Sequence, residues 1–221
     1  MRIAIALFDR FTALDAIGPY EVLSRLPGAE ITFVGCEPRV FRSDVGSLAL
    51  VAEAGFDGVR AADVLLVPGG PGTREMTRNR PLLDWLRAIH PTTQWTTSVC
   101  TGSHLLAAAG LLDGIDATTH WATMDELAAL GARPIEGRVV ERGKIMTAAG
   151  VSAGIDMALT LAARIAGEQV AQAIQLGIEY DPQPPFDSGS VRKASPELVR
   201  MLTELMAQRT VRDADAASAT G

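Results

Sequence analysis

A chain of 221 residues, 48% of them hydrophobic and 21% charged, can bury a sizeable core without covalent staples, which excludes a disulfide-held miniprotein, a coiled coil and a mainly disordered chain. Its formal net charge of −6, from 20 Lys and Arg against 26 Asp and Glu, gives no basis for gripping a phosphate backbone, so no nucleic-acid partner is expected. Cys36 and Cys100 stand in no C-x-x-C or Cys/His metal spacing, so a reducing, cytoplasmic location and no metal are expected.

Ile3 to Phe8 is a nearly continuous apolar run, as in a strand covered on both faces. It is short, reaches Asp9 quickly and has no cleavage-like site, so it reads as a strand rather than a secretory leader. Pro19 to Leu26 is predicted as a helix, with Pro19 in its first turn and Pro27-Gly28 as its stop. A strand at Ile31 to Gly35 leads to Cys36, which is expected in the core. Val45, Leu48 and Leu50 within Arg42 to Ala52 predict a hairpin or excursion. Asp63 to Gly72, D-V-L-L-V-P-G-G-P-G, passes abruptly from buried strand to Gly-rich turn, a transition that borders the ligand crevice of open α/β sheets.

Leu82, Leu83, Leu86 and Ile89 form a helical stripe that Asn79 can cap, with Pro81 in the first turn. Gln94 to Val99 is a strand entering Cys100, and the small-residue run Leu105 to Ala109 follows. After T-T-H-W at Thr118 to Trp121 come a helix around Met124 to Leu130, short strands near Val139 and Ile145, and a helix over Val151 to Ile165. Gln169 to Tyr180 is a further helix, stopped by D-P-Q-P-P. The last helix starts near Ser195-Pro196, with Leu198, Met201, Leu202, Leu205 and Met206 as its apolar face. The alternation predicts one doubly wound α/β domain over residues 1–208 and a flexible tail over 209–221. No run of about 18 apolar residues suggests a membrane span, so no membrane partner is expected.

S-V-C-T-G, Ser98 to Gly102, is the strongest chemical signal, because a strand enters Cys100 and a helix leaves it. Backbone N–H groups at such a turn can stabilise a thiolate, as at a nucleophile elbow, although Ser98 stands where that motif has Gly. The bland role for Cys100 is that of a small buried hydrophobe. Asp15, in the segment leaving the first strand, is either a proton-transfer partner or a helix cap; Glu21 competes for the same role or lies on a solvated face. Gly69, Gly70 and Gly72 either aim N–H groups at developing charge or simply make a sharp turn. P-G-G-P-G matches neither a dinucleotide fingerprint nor a phosphate loop, so no nucleotide cofactor is expected. His120 is open between a base near the cysteine and a packed histidine, while His104 and His90 read as packing or capping residues. Gly150 to Gly154 can bring a helix start close to the crevice.

Five segments together resemble the ThiJ/PfpI superfamily: L-D-A-I-G-P from Leu14, P-G-G-P-G from Pro68, T-S-V-C-T-G from Thr97, A-T-T-H-W from Ala117 and A-G-V-S-A-G-I-D from Ala149. With Y-D-P-Q-P-P-F-D-S-G-S from Tyr180 the pattern looks, within that superfamily, like the isonitrile (isocyanide) hydratases. The resemblance implies a flavodoxin-like sandwich, a homodimer and cofactor-free hydration of an isocyanide to an N-substituted formamide through a cysteine-linked thioimidate. It places the nucleophile on Cys100 and the acid on Asp15, assigns positioning of the intermediate to Gly70 and Thr101, and puts Ile17, Gly150, Val151 and His120 at the pocket. Two departures bear on the pocket: Ile17 stands where the hydratase pattern D-L-T-G-P has Thr, and Val151 and Met157 alter its shape. A sensory domain like those of AraC-type regulators and a glyoxalase-like cysteine enzyme share several of these motifs. The first needs a helix-turn-helix region that is not expected in this sequence, and the second is disfavoured by Asp15 where Glu is usual.

Overall fold

In the computed structural model, which describes the backbone of residues 1–219 and the side chains of residues 1–208, the apolar N-terminal run becomes β1 (Arg2–Ala6), buried from Ile3 onward. α1 (Ala13–Leu23), β2 (Glu30–Gly35), β3 (Arg39–Arg42), β4 (Ala49–Ala52) and β5 (Ala54–Gly55) follow. β6 (Val64–Val67) is wholly buried and leads through the Gly-rich turn into α2 (Thr73–Met76) and α3 (Arg80–Ile89). β7 (Trp95–Val99), α4 (Gly102–Ala108), β8 (Asp116–Ala117), α5 (Met124–Ala129) and β9 (Arg133–Pro134) come next. β10 (Val139–Arg142), β11 (Ile145–Ala148), α6 (Ala153–Ala166), α7 (Glu168–Gly177) and α8 (Pro196–Ala219) complete the order.

The main sheet runs β10-β11-β7-β6-β1-β2-β5 and is parallel except for the antiparallel edge strand β10. α6 packs on β7 and β11 and against α1 and α7, while α4 packs on β6 and β7 and against α3. This is the expected flavodoxin-like α/β architecture, and its buried strands are near-continuous aliphatic runs because helices cover the sheet. The predicted excursion is the β3–β4 hairpin, paired from Arg39↔Ala52 to Arg42↔Ala49. Asn79 caps α3 as expected, its side chain accepting from the Leu82 N–H at 3.0 Å.

Two expectations change. The first helix begins at Ala13, not at Pro19, so Pro19 lies inside it and Asp15 in its first turn. A proline in a helix loses one backbone bond and crowds the residue before it, and here that residue is Gly18, which has no Cβ to clash. Gly18 also lets α6 approach, since a Cβ there would lie 3.0 Å from Ile155 Cγ1. Cys36 is exposed rather than in the core, because β2 ends at Gly35 and the cysteine falls in the turn toward the hairpin.

The chain forms two units, Met1–Tyr180 and Asp181–Gly221. Within the second, Ser195 Oγ accepts from the Leu198 N–H at 3.3 Å near the start of α8, and Lys193 pairs with Asp187 at 2.5 Å. Met201, Leu202 and Leu205 of the predicted apolar face are exposed. The tail expected over 209–221 lies, in its side chains, outside the described residues.

Candidate active site

From β1 the chain builds the sheet outward in one direction through β2 and β5, then returns to add β6, β7 and β11 on the other side. The sheet therefore reverses between β1 and β6, and loops leaving the carboxyl ends of neighbouring strands part there to leave a crevice. Asp15 follows β1, Gly69 and Gly70 follow β6, and Cys100 follows β7, so three separate segments converge on one place.

Cys100 sits between β7 and α4 with φ +55°, a left-handed backbone that non-glycine residues rarely adopt. Its N–H donates to the Ala148 and Ala149 carbonyls at 3.1 Å each. Its own carbonyl accepts from Ser103 Oγ at 3.1 Å and Thr119 Oγ1 at 3.0 Å, so hydrogen bonds from several elements hold the bend. The Thr101 and Val151 backbone N–H groups and the Thr101 hydroxyl lie within reach of the sulfur and favour its charged form. They do not win. Burial, followed by the neighbouring Asp15 charge, pushes the Cys100 thiol well above the usual range, so the resting thiol is neutral.

The Asp15 side chain is fully buried. Oδ2 accepts from the Gly69 N–H at 2.9 Å, while Oδ1 has no hydrogen-bond partner. Burial pushes the carboxyl from its ordinary 3.8 up to about 7; the Gly69 amide and the Cys100 thiol pull it down, and the Asp44 charge pushes it up. The Cys100 thiol therefore lies close enough to the Asp15 carboxyl group to favour its charged form. Asp44 belongs to the β3–β4 turn, which docks on the segment after β1: its N–H donates to Phe11 O at 2.9 Å, and Thr12 Oγ1 donates to its carboxylate at 3.3 Å.

The glycine turn is already committed. The Gly69 N–H serves Asp15, the Gly70 N–H donates to Thr101 Oγ1 at 2.9 Å, and the Gly72 N–H donates to Arg10 O at 3.2 Å. Of the two readings of this glycine run, the sharp turn is the one these partners match, with the Gly69 and Gly70 amides orienting Asp15 and Thr101. Only glycine fits at 70, where φ is +136° and a Cβ would lie 2.5 Å from Arg10 O. The buried Thr73 escaped the sequence reading: its hydroxyl donates to Gly70 O at 2.7 Å and lies 3.1 Å from Thr101 Oγ1. Its signal was a threonine directly after P-G-G-P-G, legible as a turn residue but not as a neighbour of Thr101.

Val151 reaches the site through its backbone, with φ +42° turning its N–H toward the sulfur. Gly150 lies against His120, where a Cβ would come 2.6 Å from His120 Cδ2. His120 Nδ1 accepts from the Ala122 N–H at 3.3 Å, and burial holds the ring below its usual pKa, so it is neutral. Ile17 is half-buried on α1, two residues after Asp15. Glu21 lies on the solvated face, paired with Arg25 at 2.7 Å. His104 is buried, with Nε2 3.3 Å from Thr119 Oγ1, and His90 Nδ1 lies 2.8 Å from Thr96 Oγ1.

Among the described residues no group of three or more His, Cys, Asp or Glu is placed to hold a metal ion, and no helix is long and apolar enough to cross a membrane. A surface depression of about 480 Å³, lined by Arg25, Gln169, Val170, Ala173, Ile174 and Gly177, shares no residue with the Cys100 cluster.

The chain is 44% identical over 190 residues to the isonitrile hydratase of Pseudomonas putida, covering 86% of this chain and 83% of that protein. It is 33% identical over 190 residues to the HTH-type transcriptional regulator GbdR of Pseudomonas aeruginosa, covering 81% of this chain but only 50% of the regulator's length. The crystal structure of a ThiJ/PfpI family protein from Pseudomonas syringae superposes with a TM-score of 0.91 at 39% identity, covering 97% of this chain and 89% of that one. The DJ-1/PfpI family profile matches residues 1–164, the stretch that carries the buried cysteine, its acid and the glycine turn, and the chain belongs to the DJ-1/PfpI family.

Proposed function

We propose that this protein is a cofactor-independent isonitrile hydratase, converting an isocyanide and water to an N-substituted formamide, with Cys100 as nucleophile and Asp15 as proton carrier. The observation that carries the reading is the pairing of a neutral buried thiol with a carboxyl group whose pKa is about 7. Such a carboxyl can take and return a proton near neutral pH at little cost. The similarity to isonitrile hydratase supplies the substrate class.

The net first step adds S–H across one carbon. Ionised Asp15 takes the thiol proton as sulfur forms its bond to the terminal carbon of R–N≡C. Asp15 then returns that proton to the same carbon, leaving the thioimidate R–N=CH–S–Cys100. Water attacks this carbon, Asp15 removes a proton from the water, and the imine nitrogen gains one, giving R–NH–CH(OH)–S–Cys100. The C–S bond breaks as the hydroxyl loses its proton, releasing R–NH–CHO and returning the thiol. Charge developing on sulfur meets the Thr101 and Val151 N–H groups, and Gly70 acts by holding Thr101. Ile17, Gly150 and His120 are pocket residues in this scheme.

The test is incubation with aliphatic and aromatic isocyanides while formamide is quantified. Turnover is expected in the wild type and in Cys36→Ser, with a loss of at least about a thousandfold in Cys100→Ala. Equal turnover in Cys100→Ala sinks the nucleophile, and no turnover on any isocyanide sinks the substrate assignment. The similarity to GbdR favours a second reading, a metabolite-sensing domain, for which saturable binding without conversion is the signature. A homodimer, a cytoplasmic location and the lack of a nucleic-acid partner belong to the same proposal; light scattering and a DNA-binding assay check the assembly and the partner.

A further inference from the structure

Thr73 and Thr101 each carry one hydroxyl proton, but more than two acceptors surround them. Gly70 O lies 2.7 Å from Thr73 Oγ1 and 3.3 Å from Thr101 Oγ1, and also receives the Thr73 N–H at 3.0 Å. The two hydroxyl oxygens are 3.1 Å apart, and the Thr101 hydroxyl also reaches the Cys100 sulfur. Thr101 Oγ1 receives the Gly70 N–H at 2.9 Å whichever way its own proton points.

We propose that Thr73 is a positioning residue that turns with Thr101 as a two-hydroxyl relay, supporting the Cys100 sulfur when it gives up its proton. With the thiol neutral, both hydroxyl protons rest on Gly70 O. As the sulfur becomes anionic, the Thr101 proton turns to sulfur and the Thr73 proton turns from Gly70 O to Thr101 Oγ1. Gly70 O keeps the Thr73 N–H, so no buried acceptor is orphaned by the switch. No heavy atom moves, and a hydroxyl that accepts a hydrogen bond is a better donor to the next group. The charged groups in play besides the sulfur are Asp15 of α1, which faces it, and Asp44 of the β3–β4 turn, which acts on Asp15.

The inference rests on Cys100 as the nucleophile of the proposed reaction but not on an isocyanide as its substrate, so its test uses iodoacetamide. In a Cys36→Ser background, Thr73→Val is expected to slow Cys100 alkylation about tenfold, the scale of one hydrogen bond to a charged group. Thr73→Ser restores the rate to within about threefold, because the hydroxyl returns. When Thr101 is already Val, adding Thr73→Val changes the rate less than about twofold, because the relay has lost its middle member. Thr73→Ala makes the same comparison if the valine variant does not fold. Wild-type alkylation in the hydroxyl-less variant overturns the proposal, as does an undiminished tenfold loss in the Thr101→Val background, which assigns Thr73 to holding the loop alone.

Discussion

At the scale of single residues, the chemistry turns on where one proton sits. Asp15 and Cys100 both have raised pKa values, chiefly from burial, so below about pH 7 the pair holds two protons and above it one. In the proposed reaction only the one-proton form can begin the attack. Turnover measured as kcat/KM is therefore expected to rise with pH through a midpoint near 7 that belongs to the pair. Asp44 raises that midpoint, so Asp44→Asn is expected to move it downward by a few tenths of a unit to about one unit. An unmoved or rising midpoint refutes the electrostatic role of Asp44. That Cys100 sits at a bend between strand and helix was legible in S-V-C-T-G, but its ionisation state was not. A sequence motif shows the donors near a thiol and not the depth at which the thiol is buried.

At the scale of elements, the site depends on turns whose geometry tolerates little change. Gly70→Ala places a methyl group against Arg10 O in a backbone conformation that alanine avoids. A loss of roughly 1–3 kcal/mol in unfolding free energy is expected, with a fall in kcat because Thr101 loses its fixed partner. Chemical denaturation and formamide production read the two effects separately. Asn79→Ala at the start of α3 is the contrasting case: loss of the cap to the Leu82 N–H costs about 1 kcal/mol and leaves kcat unchanged, since none of the site's hydrogen bonds comes from this helix. α3 was legible because its stripe, cap and proline agree. The start of α1 was not, because Pro19 signals a helix start in sequence while Gly18 relieves the crowding that normally enforces it. The same error kept Asp15 in a loop, one element short of its place.

At the scale of the molecule, burying an acid links function to stability. Asp15 binds its proton more tightly folded, at about 7, than at its ordinary 3.8, so the folded state holds the extra proton between those values. Stability is then highest below 3.8 as far as this group is concerned, and falls as pH rises toward 7, by at most roughly 4 kcal/mol. Asp15→Asn removes this slope, so its melting temperature is expected to exceed that of the wild type at pH 8 and to converge with it in acid. A constant difference across that range counts against the buried charge as its cause. The amino-acid sequence by itself determined the strand and helix alternation, the elbow at Cys100 and the family, because each is written in local periodicity or in contiguous motifs. The tertiary structure alone decided how Gly69 and Thr73 join Asp15, Thr101 and Val151 in one crevice, and that its thiol is neutral. They come from segments far apart in the chain, brought together only where the sheet reverses between β1 and β6, and burial there, a property of the whole packed core, sets where the proton rests.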